Sequence, residues 1–74
     1  MIIATQNCNR VYFTENHDSI EIEGDSIVLN RDNGDLLRMK RYVLGQYESL
    51  ERAHEVLRDI VANLDAGGLI LPEK

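Results

Sequence analysis

Cys8, His17 and His54 are the residue types from which a nucleophile and its base could be built. A thiolate attacks only when an imidazole stands within hydrogen-bond reach to take its proton. Cys8 lies between Asn7 and Asn9, and His17 lies in Glu15-Asn16-His17-Asp18; both stretches read as turns or loops, which fix neither side chain. His54 falls at the edge of an apolar helical arc, where an imidazole ordinarily covers the core. The run Asn30-Arg31-Asp32-Asn33-Gly34-Asp35 carries oxygens that suit calcium. With Gly34 at the sixth position of an EF-hand loop, however, Leu29, Arg31 and Lys40 would fall at the first, third and twelfth, where oxygen ligands are required. A hairpin turn accounts for the same residues. The five glycines form neither a Gly-x-Gly-x-x-Gly nor a Gly-Lys-Ser/Thr phosphate loop. A chain of 74 residues rarely forms the deep cleft in which paired carboxylates work. These residues point to a protein that is not an enzyme and takes no cofactor or metal.

Charge suggests binding instead. Residues 11–30 carry −5, from Glu15, Asp18, Glu21, Glu23 and Asp25, with no base among them. Glu21 and Glu23 fall on the outward positions of an alternating strand, ~7 Å apart by strand rise. Negative charges spaced along an extended backbone can imitate a phosphate strand and fill a basic groove on another protein; the ordinary role of such a row is solubility. A second row, Arg38, Lys40 and Tyr42 with Arg41 beside it, has the composition of a small nucleic-acid platform, in which bases stack on aromatics and cations track phosphates. A net charge of −5 repels phosphate backbones and argues against direct nucleic-acid binding.

The elements that would hold these rows follow from periodicity. Met1 to Gln6 is apolar and strand-compatible. Arg10 to Thr14 alternates, with Val11 and Phe13 on one face and Tyr12 on the other. Ser19 to Glu23 alternates most clearly, with Ile20 and Ile22 inward. Gly24-Asp25 marks a turn, and Ser26 to Asn30 returns with Ile27 and Leu29 inward. Asp32-Asn33-Gly34-Asp35 contains the Asn-Gly pair of a type I′ hairpin turn. Leu36 to Tyr47 reads as a long strand, or two pieces joined at a bulge, with Leu37, Met39 and Val43 inward and Arg41 interrupting them. Residues 1–47 thus form an antiparallel β-meander of about five strands. Residues 49–66 form an amphipathic helix: Leu50, Ala53, Val56, Leu57, Ile60, Val61 and Leu64 share a ~140° arc. Ser49 is its N-cap, Glu51 favours its positive end, and Gly67-Gly68 stops it. Residues 69–71 add a short strand before Pro72. The expected fold is α+β in a single domain, 1–74, with the helix packed on one face of the sheet.

The stretch Leu44-Gly45-Gln46-Tyr47-Glu48-Ser49-Leu50-Glu51-Arg52-Ala53-His54-Glu55-Val56-Leu57, followed by glycine and a short apolar-Pro tail, resembles small proteins of bacterial phages and integrated mobile elements. These share a strand ending in Leu-Gly-x-Tyr and a helix running from Glu-Arg-Ala to Val-Leu. The resemblance covers about the last 30 residues. It implies a genomic setting and transfers no site residue. Together with the charge pattern, it leads to a non-catalytic accessory protein that binds another protein. The first alternative is an inhibitor of a host nucleic-acid machine such as a CRISPR effector; the second is a small nucleic-acid-binding module.

One cysteine excludes an internal disulfide, and no apolar run approaches the ~18 residues of a membrane span. Met1-Ile2-Ile3-Ala4 lacks the basic flank and length of a signal peptide, so a cytoplasmic location is expected. A helix is ~10–12 Å across while strands lie ~4.8 Å apart, so one helix covers about two strands of five. Some of Ile2, Val11, Phe13, Ile20 and Ile22 then need another shelter. The outward Tyr12, Val28, Tyr42 and Leu44 would form an association face, and a homodimer joined through the sheet is the expected state.

Overall fold

The computed structural model describes residues 1–14, 18–31 and 40–74. Its elements are β1 (Ile2–Ala4), β2 (Val11–Phe13), β3 (Asp18–Glu23), β4 (Ser26–Arg31), β5 (Lys40–Gln46), α1 (Leu50–Ala62), a 3-10 turn (Leu64–Ala66) and β6 (Gly68–Ile70). The fold is α+β, with the helix packed on a sheet and a short strand after it. The strands divide into two three-stranded sheets, β2-β1-β6 and β3-β4-β5. In the first, β1 and β2 form an antiparallel hairpin with Ile3 opposite Tyr12, and β6 returns to lie parallel to β1 with Ile3 opposite Leu69. Parallel neighbours need a long crossover, and here everything from β2 to the 3-10 turn supplies it. Local alternation carries no trace of such a pairing.

The second sheet follows the alternation closely. Gly24, at φ +65°, supplies the positive dihedral that a two-residue hairpin turn needs at its first central position. Ile27 and Leu29 are fully buried, and Ile20 and Ile22 pack against the same core. Between β4 and β5 the register slips: Ile27 faces Gly45 while Val28 faces Val43, so Leu44 is the extra residue of a bulge. The bulge turns Leu44 into the core, 1% exposed, and leaves Val43 51% exposed, which reverses the expectation for both. Leu37, Met39 and the Asp32-Asn33-Gly34-Asp35 turn lie outside the described residues.

Ser49 caps α1 as expected, its hydroxyl accepting from the Arg52 N–H at 3.1 Å. Ala53, Val56 and Ile60 are buried and Leu57 partly so, but Leu50, Val61 and Leu64 stay exposed. The helix lies chiefly over β3 and β4, as its width allows, so the buried arc is narrower than the apolar one. It gives way to the 3-10 turn after Ala62, and Gly67 at φ +83° ends that turn.

Both sheets and the helix share one core: Ile3, Ile27, Leu29, Leu44, Tyr47, Ala53, Val56, Ile60 and Leu71. Gln6 stitches the sheets together at one end. Its N–H donates to the Leu44 carbonyl at 2.9 Å. Its side-chain amide accepts from the Gln46 N–H and donates to the Gln46 carbonyl, both at 2.7 Å. The side chain therefore makes the pair of bonds that the peptide group of an adjoining strand would make. At the other end Arg31, on β4, donates to the Phe13 carbonyl of β2 at 2.9 Å.

Candidate binding surfaces

The acidic residues expected to form one row are separated by the pleat of β3. Asp18 shares the inner face with Ile20 and Ile22, and its carboxylate, 3% exposed, accepts from Arg31 Nε and Nη2 at 3.1 and 3.0 Å. It closes the end of the core and leaves the row. Glu21 and Glu23 do face outward, as alternation requires. Glu21 accepts from Asn30 Nδ2 at 2.8 Å, and Glu23 pairs with Arg41 at 2.7 Å. In the ladder Arg41 stands opposite Asn30 and Glu23 opposite Ser26, so their bridge runs diagonally across the strand position of Val28. Val28, on the outer side of the central strand, is 0% exposed beneath this polar roof. Asp25 sits in the β3–β4 turn, where its carboxylate meets the Ser26 hydroxyl and the Gln46 amide at 3.5 and 3.4 Å. Glu15 lies outside the described residues.

The residues expected to form an association face do not make an exposed one. Leu44 belongs to the core and Val28 is roofed over. Tyr12 and Tyr42 pack against the core from opposite sheets, ring centroids 5.2 Å apart and tilted by 44°, with the Arg31 guanidinium 6.0 Å from the Tyr42 centroid. The basic row loses its platform for the same reason. Tyr42 turns inward, Arg41 is paired with Glu23, and Arg38 lies outside the described residues.

The residues that carry the phage-protein resemblance fold against one another. Leu44 is the bulge residue that fills the core. A side chain at Gly45 would meet the Tyr47 ring at 3.0–3.1 Å and Gln6 at 3.2 Å, so the glycine makes room for Tyr47. Tyr47 is 4% exposed, and its O–H donates to the Pro72 carbonyl at 3.0 Å. Burial raises its pKa above the usual phenol value, and the nearby Arg52 charge pulls it back only in part. The Leu-Gly-x-Tyr element is a packing device.

Cys8 and His54 are not brought together. Cys8 is exposed in the β1–β2 loop at φ +57°, held by its N–H donating to the Thr5 carbonyl at 2.9 Å, and His54 is exposed on α1. Thr5 organises the rest of this loop, its hydroxyl lying 2.9 and 3.3 Å from the side-chain oxygens of Asn7 and Asn9. His17 lies outside the described residues. Among the described residues no group of three or more His, Cys, Asp or Glu is placed to hold a metal ion, and no helix is long and apolar enough to cross a membrane.

Among the described residues, a contiguous apolar surface lies on the outer face of β2-β1-β6. Its outward positions are Phe13 and Val11 on β2, Ile2 and Ala4 on β1, and Gly68 and Ile70 on β6. None is polar. Phe13 is 65% exposed, Ile70 67%, Val11 53% and Ile2 41%. The β1 and β6 side of this face forms a shallow apolar depression of about 600 Å³. Three of these residues, Ile2, Val11 and Phe13, are among those the width argument leaves uncovered. Ile70 is not, because its strand reads as a short appendage until its pairing with β1 is known. Comparison of the chain with protein-family models, curated proteins and solved structures finds no match.

Proposed function

We propose that this chain is a non-catalytic accessory protein that binds another protein, in the phage or mobile-element setting that the Leu44–Leu57 resemblance implies. The observation that carries the reading is the uninterrupted apolar outer face of β2-β1-β6, with Phe13 and Ile70 each about two-thirds exposed. Contiguous apolar surface of that kind on a small domain marks an interaction site. It suits a protein partner, because nothing on it would pair with a phosphate or orient a polar ligand.

The phosphate-imitating inhibitor is the weaker reading. Glu21 and Glu23 remain outward, but Asp18 is internal and Glu23 is neutralised by Arg41. Affinity capture from the native host discriminates the two. Phe13→Lys is expected to lose the captured protein, while Glu21→Lys with Glu23→Lys retains it. Capture that survives the first variant and fails with the second would reject the apolar face in favour of the acidic row.

A further inference from the structure

We infer that the occupant of this apolar face is a second copy of the same chain, packed face to face about a twofold axis along β1; this rests on the reading of the face as a protein-binding surface. Within one molecule the two sheets show what a wet face and a covered face look like. β3 reads Asp-Ser-Ile-Glu-Ile-Glu, polar at every outward position from Ser19 on, as a strand with one solvated side does. β1 reads Ile-Ile-Ala, β2 Val-Tyr-Phe and β6 Gly-Leu-Ile. Their inner positions, Ile3, Tyr12 and Leu69, already serve the core. Apolar residues on both sides are the pattern of strands buried on both faces.

Three observations select a second copy over an unlike partner. The first is register. Phe13 and Gly68 stand at the same level of the sheet, both opposite Ile2, on the two strands that flank β1; Val11 and Ile70 stand together at the level of Ala4. A twofold axis parallel to β1 exchanges the flanking strands, so each copy's Phe13 lies over the partner's Gly68. The bulkiest side chain of the face meets the position with none, and sheets packed ~10 Å apart fill their interface by such interdigitation. The second is charge. The chain carries −5, yet β1, β2 and β6 contain no acid or base, so the copies meet without bringing carboxylates together. The third is the sheet edge: the Arg31 guanidinium occupies the Phe13 carbonyl on β2, which hinders edge-to-edge continuation on that side of the sheet. The apolar area is on the order of 400 Å² per copy, about half of what each partner of a stable complex contributes, so the pair is weak and concentration-dependent.

Sedimentation equilibrium from about 10 μM to about 1 mM tests this. The weight-average mass should climb from 8.5 kDa toward twice that value. Phe13→Lys should hold the chain monomeric over the whole range. Gly68→Val is the stricter variant: a β-carbon there meets nothing closer than 3.6 Å within the chain, and the position faces outward beside Ile2, so the side chain fills the notch that receives Phe13. It should weaken association at least tenfold although it adds apolar surface, and it decides the question if Phe13→Lys fails to fold. A wild-type chain that stays at 8.5 kDa, or a Gly68→Val chain that associates as well as the parent, overturns the proposal. A monomer that still captures a host protein through Phe13 overturns the second copy and leaves the protein-binding reading standing.

Discussion

The ring of Tyr47 fills space that Gly45 leaves open, and its phenol donates to a carbonyl near the other end of the chain. Its pKa is raised by burial, with Arg52 opposing, so the folded chain holds the proton above pH 10.0 while the unfolded chain releases it there. The contribution of neutral Tyr47 to stability is therefore complete below pH 10.0 and is lost as pH rises through the folded value. Tyr47→Phe removes a hydrogen bond worth about 1 kcal/mol at neutral pH but also removes this loss. Urea unfolding between neutral pH and about pH 11 should show the parent's advantage shrinking above pH 10; a constant gap would mean that the phenol ionises as freely folded as unfolded. At this scale the sequence was readable where alternation applies. Glu21 and Glu23 face outward as read, and the same period of two places Asp18 with Ile20, a consequence that grouping residues by charge obscured. Gln6 and Arg31 were not readable, because their partners lie 40 and 18 residues away along the chain.

Among the elements, α1 was the most legible, with its cap and amphipathic face present in the residues, but its end was not: the helix stops at Ala62 and Gly67 ends the 3-10 turn that follows. Its buried width was not legible, since that depends on how many strands lie beneath it. The energetic centre of the helix is Ile60, which is 2% exposed, while Leu57 lies at the boundary. Ile60→Ala is expected to cost about 2–5 kcal/mol, and Leu57→Ala clearly less, both measured by urea unfolding. Equal losses would show that the helix sits rotated toward Leu57. A bulge was one of the two readings of Leu36 to Tyr47, but its position at Leu44 was invisible for a related reason. An unbroken alternation through β5 puts Val43 inward, and only the pairing with β4 shows which residue is the extra one. That displacement took Leu44 out of the expected association face while the Glu23–Arg41 pair roofs over Val28, and a contiguous exposed apolar face appeared on the other sheet.

For the whole molecule, the decisive feature is that neither sheet has a core of its own. Ile3 and Leu71 from one side, Ile27, Leu29 and Leu44 from the other, and Ala53, Val56 and Ile60 from the helix form a single cluster. Leu71 is the sharpest probe of this. It follows β6, its N–H donates to the Ala4 carbonyl at 3.2 Å, and it is 1% exposed at the end of the segment 69–71 that the sequence marks as a short strand. A chain of this length has a total stability of about 4–11 kcal/mol. Leu71→Ala, at about 2–5 kcal/mol, removes a large share of it. Because the cluster is shared, the loss should fall on every element together: far-ultraviolet circular dichroism and tyrosine fluorescence should report one transition, moved to lower urea with its slope kept. Were the sheets independent, the tyrosine signal from the Tyr12–Tyr42 seam would collapse first while β3-β4-β5 and the helix kept the parent's midpoint. Coincident midpoints in the variant would establish that one core, assembled from both ends of the chain, holds the fold.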